Sequence, residues 1–350
     1  MITFWQQENG KLISLKKEEL DSSKKTWIDA RSVTREDISF LENEYKIDQE
    51  HILDILDPDE LSRIEDADDY VLTIMRLPIF VPTAEVSYFS IPLGVIVMPK
   101  KIITICWTDC EVLKDFAANR VKGISLNDFP AFIIQIMSRG DITYLRYLKE
   151  INRRASSIQG ELQYAVENKE IIQFLNLEKS LVFFTTSLKS NQLLLEKFRK
   201  TKLFRLDEDD RDWLDDVEID NRQALEMADT YSEIFSRIID AFGSVISNNM
   251  NAVMKKLTMI TVVISVPTFI TSFFGMNIYL PFANLGQHSV VIVTGICLAG
   301  IGITNLFLNQ RGRIFKKEKK SIKHTYKKKI ELRKLKKQIE LQEAGLEGKK

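Results

Sequence analysis

Two apolar runs toward the C-terminal end constrain this chain more than any other feature. Leu257–Phe274 and Val290–Leu308 contain no Asp, Glu, Lys or Arg, and neither does the rest of the stretch from Leu257 to Gln310. As helices rising 1.5 Å per residue they are each roughly 27–29 Å long, close to the ~30 Å hydrocarbon core of a bilayer. Within the stretch only His288 titrates near neutral pH. A buried helix of a soluble protein rarely goes so long without a charge, so the two runs are read as a transmembrane hairpin.

The flanking charges orient it. Lys255 and Lys256 precede the first run, Arg311, Arg313, Lys316 and Lys317 follow the second, and the connecting loop has no Lys or Arg. The positive-inside rule places both ends in the cytosol and the short loop outside. The N-terminus, MITFWQQENGKLISLKK, lacks a basic segment followed by a long apolar one, so a cytosolic N-terminal bulk is expected. Formal net charge is zero, but residues 311–350 carry sixteen basic and five acidic groups, and residues 1–256 carry an equal acidic surplus. An acidic body thus precedes a basic tail, which suits anionic lipid or the acidic body itself. Cys106, Cys110 and Cys297 make no disulfide framework, and no further Cys or His completes a zinc site around the first two.

The first apolar run is amphipathic in an unusual way. Ser244, Ser247, Asn251, Thr258, Thr261, Ser265, Thr268 and Ser272 recur at steps of three and four, with Met254 filling the gap. Asp240 stands four residues before Ser244, and Leu257 flanks the row near the cytosolic side. That spacing is one face of one helix. Two readings compete. The hydroxyls bond back to their own helix carbonyls and the row is a packing surface. Alternatively, several copies turn this face inward and line a wet path, which one two-span chain cannot enclose and a closed ring of subunits can. Pro267, inside the helix, frees the carbonyl of Val263.

The run ends in Phe274-Gly275-Met276-Asn277. That triplet resembles the Gly-Met-Asn signature of the CorA family of magnesium transporters. Ser247-Asn248, Asn251-x-Val253-Met254-Lys255-x-Leu257-Thr258 and Pro267-Thr268-x-Ile270 are similar to the family's pore helix. His51–Ile55 and Tyr70–Leu72 resemble its cytosolic domain more weakly. The resemblance implies a funnel-shaped homopentamer, with a cytosolic α/β domain, stalk helices continuing into an inner ring of first spans, and an outer ring of second spans. It implies a filter at Gly275, Met276 and Asn277, polar stations at Asn251 and Thr268, a hydrophobic constriction at Met254 and Leu257, and a ring of Asp240 at the inner mouth. A ring of neutral amide oxygens suits an ion that keeps its water, as Mg²⁺ does. The resemblance also implies a cytosolic regulatory metal site between subunits. Asp216 fits one half of it; the other half aligns near Val81, and Glu85 is the nearest acid.

The sequence departs from the family pattern in places. The loop 278–288 keeps Pro281 but has no carboxylate, leaving Asn284, Gln287 and His288 as its polar groups, and Ser265 stands where a bulky apolar residue is usual.

Residues 1–125 read as an α/β domain with strands at Ile2–Trp5, Tyr70–Ile79, Tyr88–Val97 and Ile102–Trp107. Residues 126–256 read as long helices and a stalk, with Asp212–Phe274 one continuous helix. The hairpin occupies 257–310 and a basic cytosolic tail 311–350. No phosphate loop, catalytic triad or nucleotide motif occurs, and no enzyme is expected. The expected function is uptake of Mg²⁺, with Co²⁺ or Ni²⁺ as further ions, through a homopentamer in the plasma membrane, gated by cytosolic metal. No resident cofactor and no nucleic-acid partner are expected. Two alternatives stand beside it: a zinc transporter of the same fold, with or without proton coupling, and a membrane-anchored helical scaffold that conducts nothing.

Overall fold

The computed structural model describes residues 1–162, 169–276 and 290–306. The chain divides into two compact units, Met1–Ala241 and Phe242–Lys350.

The first unit is built on one seven-stranded mixed sheet. Its strands are β1 (Ile2–Glu8), β2 (Lys11–Leu15), β3 (Thr26–Arg31), β4 (Arg63–Ala67), β5 (Tyr70–Phe80), β6 (Tyr88–Met98) and β7 (Lys101–Cys106). Their order across the sheet is β2-β1-β3-β7-β6-β5-β4. Every neighbouring pair is antiparallel except β3 and β7, which run parallel from Thr26↔Lys101 to Arg31↔Cys106. Asn9 and Gly10, both at positive φ, make the tight β1–β2 turn, whose backbone twist matches that of the strands.

Side-chain alternation lets the sheet bury both faces. Ile28, Ala30, Leu72, Ile74, Ile96, Ile103 and Ile105 meet two short helices, α1 (Arg35–Tyr45) and α2 (Gln49–Leu56), through Leu41, Tyr45, Ile52 and Ile55. Thr34 opens α1 as a capping box with Asp37, and Asp48 caps α2 through the Glu50 amide. The larger cluster, which includes Trp27, Leu77, Leu93 and Ile102, gathers residues of α3 (Glu111–Ala117), α4 (Phe129–Leu162), α5 (Lys169–Lys200) and the start of α6 (Glu208–Phe274). Cys106 and Cys110 are free thiols buried in this cluster, as small apolar fillers would be.

All four strands expected from the sequence are present, though Trp107 falls beyond the end of β7. α6 is one helix, beginning four residues before the expected Asp212. Asp207 accepts the Asp210 amide at 2.8 Å, and Asp210 accepts the Asp207 amide at 3.2 Å. This reciprocal cap, with Glu208 and Asp209, sets negative charge against the positive end of the helix dipole. Part of the acidic run 207–220 is thereby a helix start. A second part, Asp215 and Glu218, pairs with Arg199 on α5.

In the second unit α6 continues through Pro267 to Phe274 and is followed, from Val290, by α7 (Val290–Leu306). Among the described residues α6 is the one helix long and apolar enough to cross a bilayer; its apolar window is unburied, and α7 is shorter. Residues 307 and 308, the end of the second run, lie outside the described residues.

Candidate functional site

α6 carries the whole polar row. Ser247, Asn251, Thr258, Thr261, Ser265, Thr268 and Ser272 are all exposed, as are Asp240, Ser244, Met254 and Leu257. Thr261, Ser265, Thr268 and Ser272 line one shallow groove of about 470 Å³ with Ile264 and Phe269. Four hydroxyl-bearing residues and two apolar ones thus share its lining.

Each hydroxyl in the middle of the row donates to the carbonyl four residues earlier. Thr258 bonds Met254 at 2.8 Å, Thr261 bonds Leu257 at 3.0 Å, Ser265 bonds Thr261 at 2.8 Å and Thr268 bonds Ile264 at 2.9 Å. The back-bonding that the packing alternative requires is therefore present. It has a second consequence. A hydroxyl has one hydrogen and two lone pairs; with the hydrogen committed to the backbone, the oxygen faces outward as an acceptor. Water molecules around a cation point both hydrogens away from the ion, whereas those around an anion spend one hydrogen on it, so a row of acceptors suits a hydrated cation better than a hydrated anion.

α7 lies on the other side of α6. A Cβ placed on Gly300 would come 3.0 Å from Cγ1 of Val266 and 3.4 Å from Cδ1 of Ile270, so the missing side chain is what lets the two helices approach. Between Thr261 and Phe274 the partly covered residues are Val263, Val266, Pro267, Ile270 and Phe274. At about 100° per residue these occupy the face of α6 opposite Thr261, Ser265, Thr268 and Ser272. α7 in turn turns Val290, Val291, Leu298, Ile303 and Leu306 outward.

At the end of α6 the Gly275 amide donates to the carbonyls of Thr271 at 3.0 Å and Ser272 at 3.2 Å. Gly275 keeps an ordinary φ, so the helix stops here without the left-handed backbone that a glycine permits. Met276 follows, exposed. Asn277 lies outside the described residues, as does the loop with Pro281, Asn284, Gln287 and His288.

In the first unit Asp216 is exposed on α6, and Glu85 is exposed in the turn between β5 and β6. Among the described residues the two share neither a bond nor a cavity within one chain. Asp216 instead lines a cleft of about 360 Å³ with Asp220 and Trp213 of α6, Arg139 and Gln135 of α4, and the loop residues Arg120 and Lys122. Sequence reasoning missed this cleft because three separate segments form it. Asp128, Asp207 and Asp210 also converge, with oxygens within 4.8 Å of one another. Asp128 accepts the Ala131 amide at 3.1 Å and Asp207 caps α6, so helix termini account for that cluster. Burial raises the Asp210 carboxyl above its ordinary range, against the Asp207 hydrogen bond.

The profile of the CorA-like Mg²⁺ transporter protein family matches residues 22–310. The chain belongs to this family. Among its CorA relatives, the cobalt/magnesium transport protein CorA of Methanocaldococcus jannaschii is 25% identical over 287 residues, covering 80% of this chain and 89% of that protein. The CorA of Thermotoga maritima is 21% identical over 79% of this chain and 80% of its own length. The complete structure of the M. jannaschii CorA magnesium transporter superposes with a TM-score of 0.70 at 23% identity, covering 88% of this chain and 96% of that one. The CorA fold thus extends across both units of this chain.

Proposed function

We propose that this chain assembles as a homopentameric channel that admits divalent cations, Mg²⁺ first and Co²⁺ or Ni²⁺ with it, into the cytosol. The single observation that carries the reading is that α7 covers α6 on the face opposite its hydroxyl row. Within one chain the row is left uncovered, and lipid is a poor partner for it. Copies of the chain that turn these rows toward a common axis satisfy them with water and put α7 on the lipid side. CorA relatives named as cobalt and magnesium transporters support the same ion class.

In this reading both termini are cytosolic, the hairpin spans the plasma membrane over 257–274 and 290–308, and the boundaries at 125 and 256 separate the α/β domain, the helical region with its stalk, and the hairpin. Met254 and Leu257 narrow the inner part of the path, and the Asn277 amides of the filter hold the water shell of the ion at the outer end. The ion is cargo, and no covalent chemistry is asked of the protein. An inside-negative potential favours uptake by about 2.3 kcal/mol per elementary charge per 100 mV, so roughly twice that for a divalent ion. Metal bound to the cytosolic domain, Asp216 included, favours the closed state by linkage.

The deciding experiment is flux of Mg²⁺, Co²⁺, Ni²⁺ and Zn²⁺ into proteoliposomes, with and without a pH gradient. Mg²⁺ flux independent of that gradient is expected. Asn277→Ala should lower it on the order of tenfold or more while the oligomer, sized by native mass spectrometry, persists. Undiminished flux in the variant removes the filter role. Zn²⁺ flux that requires the pH gradient replaces the magnesium reading, and no flux at all leaves a scaffold.

A further inference from the structure

α4 and α6 meet through one buried polar pair. From Leu214 onward the buried residues of α6 are Leu214, Val217, Asn221, Ala224, Ala228 and Phe235, at helical spacing, and Asn221 is the one polar member. Its side chain is buried, and its Nδ2 donates to Oδ1 of Asp141 on α4 at 3.1 Å. Its Oδ1 is buried with no partner among the described residues. Asp141 is buried as well. Beside it α4 is pressed onto β5, since a Cβ on Gly140 would lie 2.8 Å from Cδ2 of Leu77.

The surroundings decide the charge state of the pair. Asp220, next to Asn221 on α6, acts on Asp141 with like charge. Tyr144 stands close on α4, but its hydroxyl donates to the Arg76 carbonyl at 3.2 Å. The Arg76 guanidinium of β5 is spent on Ser187 of α5, the Glu60 carbonyl and the Ser90 carbonyl. No cation among the described residues pairs with Asp141. Burial holds its carboxyl well above the usual range, with Asp220 adding to the effect and the Asn221 bond opposing it. An ionised Asp141 offers acceptors only, so the Asn221 oxygen stays orphaned in a buried place, which is costly. A protonated Asp141 carries one O–H. Donated to that oxygen, it would close an acid–amide ring of two hydrogen bonds.

We propose that Asp141 and Asn221 form a proton-held clasp between α4 and α6, closed while Asp141 is the neutral acid and opened when it ionises. Loss of the proton removes one bond of the ring and leaves a buried carboxylate beside Asp220 with no counter-charge. States in which α6 lifts from α4 and water reaches the pair then gain weight. Because the acid is the closed form, the clasp closes toward low pH and opens toward high pH. It is a contact within the first unit, and no proton crosses the membrane through it. The same helix α6 bears the hydroxyl row. Control of ion flux by the clasp rests on the channel reading; the clasp itself does not.

The test is hydrogen exchange of the full chain in detergent, read by mass spectrometry on the α6 peptides around Asn221. It runs from about pH 6 to about pH 9, is corrected for the intrinsic pH dependence of exchange, and is paired with the infrared carboxylic-acid band of the same samples. In the wild-type chain protection of these peptides should fall about tenfold or more across the range, in step with the fading of the band. Asp141→Asn puts a permanent N–H where the acid has its O–H, so it should stay protected throughout and lack the band. Asn221→Ala removes the group that receives the proton and should lose about tenfold of protection already at the low-pH end. Wild-type protection that does not change with pH, the absence of an acid band at about pH 6, or full low-pH protection in Asn221→Ala each overturns the proposal. The wild-type chain and Asn221→Ala decide the matter even if Asp141→Asn fails to fold. Flux on the same preparations is read separately, since the clasp titrates or fails to titrate whether or not the pore conducts.

Discussion

Asp141 is 2% exposed on α4 and accepts a hydrogen bond from the Asn221 side chain of α6 at 3.1 Å. Burial pushes its carboxyl well above the ordinary carboxylate range; the Asn221 bond opposes this, and nearby Asp220 adds to it. An unfolded chain releases this proton near pH 4 while the folded chain retains it. The folded state therefore binds more protons, and stability falls as pH rises from about 4 toward the raised folded value. Asp141→Asn removes the term. The variant's thermal midpoint should drop less than that of the wild-type chain between pH 5 and pH 8, followed by circular dichroism, and it should be the more stable of the two at pH 8. Parallel pH profiles would show that Asp141 does not contribute. Such a pair is invisible in the sequence, because its members are eighty positions apart. The hydroxyl row of α6 was legible for the opposite reason: its members lie three and four apart on one helix, where spacing alone fixes the face. What spacing could not tell was that Thr258, Thr261, Ser265 and Thr268 spend their hydrogens on their own helix carbonyls, which leaves each oxygen free to accept.

Packing between elements turns on a few small residues. Gly94 of β6 faces α2, and a Cβ there would overlap the side chain of Ile55, whose Cγ2 is 2.9 Å away. Ile55 is fully buried and has nowhere to retreat. Gly94→Ala should destabilise the first unit by about 1–3 kcal/mol, the usual cost of overfilling a core. The lowered thermal midpoint should be partly restored by Ile55→Val or Ile55→Ala, and an unchanged midpoint would mean that α2 shifts at no cost. β5 and β6 were readable as long β-branched runs. β3 was not, because Thr-Trp-Ile-Asp-Ala-Arg buries Asp29 at 3% exposure, and that carboxylate is held by Arg31 and Thr104. The parallel pairing of β3 with β7 joins segments some seventy residues apart, which no local pattern announces. β4 is a charged edge strand that resembles a loop until its ladder with β5 is seen. The long helix α6 was the plainest element, since apolar periodicity runs through it and Gly243 is the one breaker between Trp213 and Pro267.

In the proposed ring, each chain would bring one hydroxyl row, one Asn277 and one α7 to a shared path. In that proposed arrangement no single chain owns the path. This gives the covering of a single helix face a genetic meaning. When wild-type and Asn277→Ala chains are made together, mixed rings will greatly outnumber uniform ones, and a defective member spoils the work of its sound neighbours. Transport by co-expressing cells should therefore fall more steeply than the dose of the altered allele, a dominant-negative response measurable by varying the ratio of the two transcripts. A strictly proportional fall would mean that each polypeptide acts for itself.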